Sequence, residues 1–595
     1  MSRRLAWWFL CWSGALLLAL PQSLPAQTPT VAAAQHKAES QPAHPYIPRL
    51  VDITASTGIH FVHNSSPDAR YIVESMSGGV ALIDYDRDGY PDIYFTNAPT
   101  VAQYLQGVPA YSALYHNNRN GTFTDVTKKS GLGNPCWAMG AAVGDYNNDG
   151  WPDLLVTCFG GVELFRNNGN GTFTNVTRQA GLASDHGWAT GAAFGDYNND
   201  GWDDLFVPHY VDLDLHDLPT LGSKPTCMYQ GIAVQCGPRG LPGSPDNLYR
   251  NNGNGTFTDV SKEAGVSDPN HYFGLTGVWE DFYGDGKLDL IVANDGEPNY
   301  LYQNDGHGHF KEIGYASGLA LNGDGYEQAN MGVALGDYLH TGRLSVAITH
   351  FSGEYTTLFR NDGNFNFTDV SAQAGLVQAT APDVGWGDAF VDTNNNGWPD
   401  LFLVNGHVYP QVDSKNVGTH YKESKLLFLN EGNGKFFNAS KLVGPAIQIP
   451  QVSRGLAVGD LFHDGHQEMV IENLVGGPMI LRIDPNPKNH WISLQLAGSP
   501  AKGNLLALNA RVQVIAGDLS QVQEVRSGGS YLSQNDLRLY FGLGKHARAD
   551  KIIITWSDGE KETVSGLPAD HYYSILQGVG VVPAARIAPR SPAKF

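Results

Sequence analysis

A nine-residue acidic pattern, Asp-x-Asp/Asn-x-Asp/Asn-Gly-x-x-Asp, returns along the chain and constrains its fold more than any other feature. Intact copies begin at Asp84 (DYDRDGYPD), Asp145 (DYNNDGWPD), Asp196 (DYNNDGWDD) and Asp392 (DTNNNGWPD). Weaker copies begin at Asp281 (DFYGDGKLD), Asp337 (DYLHTGRLS) and Asp460 (DLFHDGHQE). Each copy sits between a small-residue run such as Gly140–Gly144 and an apolar run such as Leu154–Thr157. A third run follows (LYHNN, LFRNN, LYRNN, LYQND), then an Asn/Gly turn into a fourth such as FTDVT. Asn-Gly turns between aromatic and β-branched runs signal hairpins. Four short strands per unit at a period of ~50 residues predict the blades of a β-propeller.

The ends of the repeat predict how the ring closes. Leu50–Thr54, followed by Gly58 and Ile59, copies the fourth-strand signature Phe123–Leu132 but precedes the first acidic loop. The seventh unit runs out after its third strand, Met479–Ile483. The N-terminal strand is therefore expected to complete the last blade, so that no sheet edge stays open. The expected fold class is all-β: a seven-bladed propeller over 49–484, then a small β-sandwich-like domain over 489–577. Residues 578–595 read as a disordered tail. Glycine supplies 70 of 595 residues and charged residues only 16%, a composition that suits turn-dense β structure.

Residues 1–26 carry Arg3 and Arg4, an apolar run from Leu5 to Leu20 and a small-residue end at Ala26. That is the layout of a cleaved secretory signal, and residues 27–48 read as a flexible lead-in. No later segment reaches ~18 consecutive apolar residues, so no membrane span is expected in the mature chain, which should be secreted or otherwise extracytoplasmic. A net charge of −21 argues against nucleic acid as a partner. Without Cys11, four cysteines remain. Cys227 and Cys236 close a short loop and are expected to form a disulfide in an oxidising compartment. A flat hairpin places Cys158 opposite Gly140, so a Cys136–Cys158 bridge requires the incoming loop to fold back; that pairing is left open.

The loops suit a hard cation, Ca2+, with oxygen ligands at positions 1, 3 and 5, a turn glycine at 6, a backbone carbonyl at 7 and a carboxylate at 9. The first loop offers Asp84, Asp86, Asp88, the Tyr90 carbonyl and Asp92. The second offers Asp145, Asn147, Asp149, the Trp151 carbonyl and Asp153; the third, Asp196, Asn198, Asp200, the Trp202 carbonyl and Asp204. The sixth offers Asp392, Asn394, Asn396, the Trp398 carbonyl and Asp400. An EF-hand needs a carboxylate at position 12, but here Phe95, Val156, Val207 and Leu403 stand there.

These loops resemble the FG-GAP/VCBS repeats of secreted propellers, and Glu524–Gln534 with Phe541–Gly544 resembles the ASPIC/UnbV signature. The segment Cys227–Gly240 leading to Leu248–Asn251 adds to a resemblance to bacterial relatives of cartilage acidic protein. Asn509-Ala510-Arg511 departs from the family's usual Gly-Ala-Arg. The resemblance implies an extracellular calcium-binding protein and supplies no reaction.

The residue thirteen after each loop's first Asp is polar or a thiol: Asn97, Cys158, His209, Asn294, His350, Asn405 and Asn473. Five before that Asp stands glycine in six units of seven. If the loop's first and ninth residues pair, these two rows face each other, and with Trp137, Trp188, Trp386 and His407 on the same face they either form a polar ring around the channel, fit for a sugar or peptide, or hydrogen-bond the next blade and hold the ring closed. The insertion Asp212–Asp246 is a further candidate for partner binding. The favoured function is a binding or adhesion module for glycan, matrix or protein ligands. One alternative is a carbohydrate-active enzyme, a polysaccharide lyase or hydrolase; another is a structural surface scaffold. No G-x-S-x-G elbow or H-E-x-x-H helix is present, and catalytic residues are not identified.

Overall fold

A computed structural model describes residues 46–66, 68–218 and 227–587. The signal segment, most of the lead-in and the last eight residues lie outside the described residues. Among the described residues the chain forms seven four-stranded antiparallel sheets, each carrying one acidic loop. We number these blades 1 to 7 in the order of their loops. Blade 2 shows the unit: Trp137–Gly144 enters the loop, Asp153–Phe159 leaves it, and Gly161–Asn167 and Phe173–Asn175 complete the sheet.

After the fourth strand the chain makes one helical turn that ends on a left-handed glycine, as at Thr127–Ser130 with Gly131 at φ 82°. Only glycine adopts that conformation without strain. The apolar residue that follows, Leu132 in this blade, is fully buried. The recurrent ending of the repeat, a glycine followed by Leu, Val or Ile, is thus a helix stop plus a core anchor.

Blade 7 takes its outer strand from the N-terminus. Arg49–Asp52 pairs antiparallel with Met479–Asp484, with Leu50 opposite Ile483. Blades 7 and 1 are also bonded at their inner strands, where the Gly455 N–H donates to the Gly78 carbonyl at 2.9 Å. Six blade asparagines reinforce the third strands. Four of them, Asn167, Asn251, Asn304 and Asn430, donate from Nδ2 to the tyrosine carbonyl in the preceding blade's loop at 2.8–2.9 Å.

The C-terminal part is a sandwich of two four-stranded sheets. One runs Leu539–Gly544, His490–Ala497, His571–Leu576, Gly580–Val582, and the other Leu519–Glu524, Arg511–Ala516, Arg548–Thr555, Lys561–Pro568. Ile492, Leu494, Val512, Val514, Phe541, Ile552 and Ile554 fill its interior. The strand Gly580–Val582 corrects the expected disordered tail from 578. Val582 and Ile587 bury against Ala497, and the surrounding Ala, Pro and Arg mask that apolar pair in the sequence.

This sandwich sits on the acidic-loop face of the propeller. The Asn504 N–H donates to the Gly201 carbonyl at 2.9 Å, the Gly544 N–H to Asn395 at 2.9 Å, and Arg538 to Gly89 at 2.8 Å. From the sandwich the segment Arg526–Asp536 enters the channel between the inner strands. Ser530 exchanges both backbone bonds with Val333 in blade 5 at 2.9 and 3.0 Å, and the Gln534 N–H donates to Val80 in blade 1 at 2.9 Å. Tyr531 is fully buried, its hydroxyl donating to the Met76 carbonyl at 2.6 Å.

Candidate functional site

The four intact loops share one backbone design. The first Asp is turned inward and accepts two backbone N–H groups: Asp145 accepts from Asp149 at 3.0 Å and from Gly150 at 2.8 Å, and Asp84, Asp196 and Asp392 do the same. The ninth residue is held by the third strand. Asp153 Oδ1 accepts from the Asn167 N–H at 2.7 Å and Asp204 Oδ1 from Asn251 at 2.7 Å. Their other oxygens, Asp153 Oδ2 and Asp204 Oδ2, are buried and meet no donor, as is Asp86 Oδ1 in the first loop. In that loop the carboxylates of Asp84, Asp86 and Asp88 lie within 4.8 Å of one another.

Burial pushes the Asp84 carboxyl up to about 7 and Asp92 up to about 8. Asp145 and Asp153 are raised well above the usual carboxylate range, by burial first, and then by the negative charges of Asp149 and Asp203 at Asp145 and of Asp145 and Asp149 at Asp153. Unpaired buried oxygens crowded on one turn are the donor set of a hard cation site, and the residues fit Ca2+. Two groups that the motif does not contain join these sites. His116 Nδ1 lies 3.2 Å from Asp92 and 3.6 Å from Asp86, and Asp203 reaches the neighbouring loop to accept the Asp145 N–H at 3.1 Å. His116 is unique to blade 1's third strand, which was the available signal.

Two of the weaker loops, the fourth and the seventh, are met by side-chain donors. Lys287 Nζ stands 3.2 Å from Asp285 in the fourth. In the seventh, Tyr572 from the sandwich donates its hydroxyl to Asp460, and Arg482 pairs with Asp464 at 2.9 Å.

The expected polar ring is corrected by the register. The loop's first Asp leaves the ladder, so the ninth residue pairs with the residue before the loop: Ile83 with Asp92, Gly144 with Asp153. A one-residue slip exchanges the faces of a strand. The glycine row therefore faces the twelfth residue after the Asp, where Thr96 donates to the carbonyls of Gly79 and Met139 and clamps blade 1 to blade 2. Asn97, His209, Asn294, His350, Asn405 and His407 are each at most 7% exposed and serve their own neighbourhoods. His209 Nε2 lies 2.9 Å from Asp185, His350 Nε2 2.8 Å from Thr357, and Asn405 donates to Ser424 at 2.7 Å. Trp137 and Trp188 are buried in the core, while Trp386 packs on Tyr531 with ring centroids 4.6 Å apart. The middle of the ring is filled by the chain's own segment, not open to a ligand.

Cys227 and Cys236 are bridged, and Cys136 and Cys158 form a second disulfide. A bulge between Ala138 and Ala141 sets Cys158 opposite Ala138, two residues from Cys136, which brings the thiols together.

On the face away from the sandwich a cavity of about 200 Å3 opens between the blades and the disulfide-closed segment. Tyr210, Gln235, Asp295, Glu354, Trp386 and Tyr409 contribute to its wall. The Tyr210 hydroxyl donates to Asp295 Oδ2 at 2.5 Å. Burial pushes Asp295 up to about 6 against the opposing effects of Tyr210 and Arg239. Glu354 rises to about 7, from burial first, with the charge of Asp295 adding. Gln235 Oε1 is buried with no donor.

Two family models match the chain. Residues 500–582 match "ASPIC and UnbV", and residues 84–156, 145–207 and 281–348 match the FG-GAP-like repeat. This is an FG-GAP-repeat propeller with a C-terminal ASPIC/UnbV domain. Cartilage acidic protein 1 from Homo sapiens is 22% identical over 313 residues, covering 51% of this chain and 43% of that protein. The Xenopus tropicalis protein of that name is 23% identical over 278 residues, covering 46% and 40%. The match thus spans less than half the length of these relatives. Among solved structures, YCF48 bound to D1 peptide is 8% identical with a TM-score of 0.36, covering 75% of this chain and 97% of that one. An Agrocybe aegerita lectin recognising non-reducing terminal N-acetylglucosamine is 18% identical with a TM-score of 0.35, covering 61% and 79%. Within the ASPIC/UnbV domain, Arg526–Asp536 is the stretch that enters the FG-GAP propeller's channel.

Proposed function

We propose that this chain is an extracellular, calcium-stabilised binding module that takes a protein or glycan ligand at the cavity on the face opposite the ASPIC/UnbV domain. The observation that carries the reading is the division of labour between the two faces. The acidic-loop face is covered by the domain, which also fills the channel, so the far face holds the aromatic cavity with its unpaired Gln235 oxygen. Calcium bound by Asp84, Asp86, Asp88, the Tyr90 carbonyl and Asp92, and by the matching residues of loops 2, 3 and 6, supplies counter-charge to the crowded carboxylates. The two disulfides favour secretion. Among the described residues no helix is long and apolar enough to cross a membrane.

Asp295 and Glu354, two raised carboxylates on one cavity wall, favour a second reading, a carbohydrate-active site in which one serves as acid and the other as base. The test is capture on a glycan array and from a secreted proteome, in calcium and in EDTA, by the wild-type chain and by Ala329→Phe, which adds a ring to the cavity wall. Calcium-dependent capture lost in Ala329→Phe supports the module, and capture indifferent to that change overturns the cavity as the site. Cleavage of a captured glycan, abolished by Glu354→Gln, selects the enzymatic reading.

A further inference from the structure

The cavity beside the disulfide-closed segment is lined by acceptors that lack donors. Gln235 is 3% exposed and contributes to the wall. A neighbour fixes which way its amide points. The Ser75 hydroxyl donates to the Ile72 carbonyl at 2.8 Å, so its oxygen can only accept, and it accepts from Gln235 Nε2 at 3.0 Å. Gln235 Oε1 is therefore the buried end left without a donor. Such an acceptor keeps its desolvation cost until a ligand supplies the donor.

Asp295 and Glu354, just after the second strands of blades 4 and 5, add two carboxylates to the same wall. Each commits one oxygen to a protein donor: Asp295 Oδ2 to the Tyr210 hydroxyl at 2.5 Å, and Glu354 Oε2 to the Ala329 N–H at 2.9 Å. Arg239 does not balance them. Its charge acts on Asp295, Glu297 and Glu354, and its Nη2 is held by the Gly296 carbonyl at 2.7 Å and by Glu327 at 3.3 Å. Four carboxylates thus share one guanidinium. Asp295, pushed up to about 6, is still mostly ionised at neutral pH, and Glu354, at about 7, is ionised in part. An anionic ligand is repelled here. Phe351, Met331 and Val408 give the rest of the wall ring and methyl surface, which suits a carbon stem and offers a metal ion no further ligands. The cavity's volume of about 200 Å3 exceeds the ~150 Å3 that holds a benzene ring, so a pentyl stem with its head group fits.

We propose that this cavity binds an organic cation, the ammonium or guanidinium head of a basic side chain on a protein ligand, with Asp295, Glu354 and Gln235 Oε1 as its acceptors. The proposal rests on the reading of the cavity as the ligand site and narrows it, selecting a basic protein segment over a neutral glycan. The disulfide-closed segment then sets specificity, because it brings Gln235 to a wall built by blades 4 and 5.

The test is saturation-transfer NMR of the full chain with pentylamine, pentylguanidine and pentanol, in calcium at physiological salt, which screens exposed carboxylates. One or both cations should bind saturably and pentanol should not; the tighter cation names the head group. Glu354→Gln should weaken cation binding about tenfold, as expected for a hydrogen bond to a charged group, and Ala329→Phe should abolish it. Pentanol bound as well as pentylamine, and lost in Ala329→Phe, overturns the cation and keeps the cavity as a site. Cation binding indifferent to both substitutions, or absent, also overturns the proposal, while proteome capture lost in Ala329→Phe still upholds the cavity. Should a variant not fold, the three probes compared on the wild type decide.

Discussion

Truncating Tyr531 should release the ASPIC/UnbV segment from the channel. Its ring is fully buried against Trp386, which in turn lies under the Arg454 guanidinium at 3.9 Å, and its hydroxyl holds the Met76 carbonyl. Removing a buried aromatic side chain costs ~3–5 kcal/mol. Tyr531→Phe keeps the packing and strands one carbonyl, a cost of ~1–3 kcal/mol. The segment is flanked by Arg526 and Arg538, whose side chains are 17% and 10% exposed. Trypsin therefore reads the open population directly. When opening is fast relative to cleavage, ~3 kcal/mol raises the cutting rate about 150-fold, and ~1.4 kcal/mol about tenfold. Urea unfolding in calcium should rank the midpoints wild type, then Phe, then Ala. A Tyr531→Ala chain with the wild-type midpoint and wild-type cutting at both arginines would refute the channel-bound segment.

Three further outcomes are expected. EDTA should lower the Tm, because calcium at 100 times its Kd adds ~2.7 kcal/mol for each filled site; an unchanged melt removes calcium from the account. His350 is buried, and burial depresses its imidazole to about 3, so the fold keeps it neutral while the unfolded chain gains a proton below ~6.5. Its contribution is therefore lost as pH falls, and the wild type should lose ~2–3 kcal/mol relative to His350→Gln between pH 7 and 4.5, measured by urea unfolding at both values; an equal difference at both denies the burial. A chain starting at residue 60 lacks the Arg49–Asp52 strand and leaves Met479–Asp484 as a bare edge. It should unfold at lower urea with lost cooperativity and aggregate, and a wild-type transition by circular dichroism would count against the pairing.

The four-stranded unit was legible because its signals are local. Asn-Gly turns, alternating apolar runs and the glycine–aliphatic ending each follow from short-range backbone preferences. The acidic turns were legible too, since Asp, Asn and Gly at fixed spacing set their own backbone bonds. Register was not. Pairing the loop's first Asp with its ninth ignores that Asp145 spends its side chain on the Asp149 and Gly150 N–H groups and so leaves the ladder. That single residue moved attention from Thr96 and Thr157, which bond the glycine row, to Asn97 and Cys158 one place on. His116 and Asp203 escaped because they join the loops from a third strand and from a neighbouring blade.

The glycine row illustrates a deeper limit. Read alone, it leaves room beside a polar side chain, and an open channel follows. In the folded chain that room is occupied: a Cβ on Gly140 would stand 2.8 Å from the Leu532 carbonyl oxygen and 2.9 Å from its Cβ, and one on Gly79 would collide with the same carbonyl. These glycines are small because another part of the chain, some four hundred residues on, must pass between the blades. No periodicity within the propeller announces that visitor, and no pattern within the C-terminal domain names its seat. The S-G-G-S-Y-L-S-Q stretch and the blade glycines are two halves of one contact. The acidic loops lie on the face that this domain covers, so calcium at those loops, as proposed, would stiffen the same structure that the inserted segment holds from the other side. The opposite face, with the disulfide-closed segment and the aromatic cavity, is the one this domain leaves uncovered.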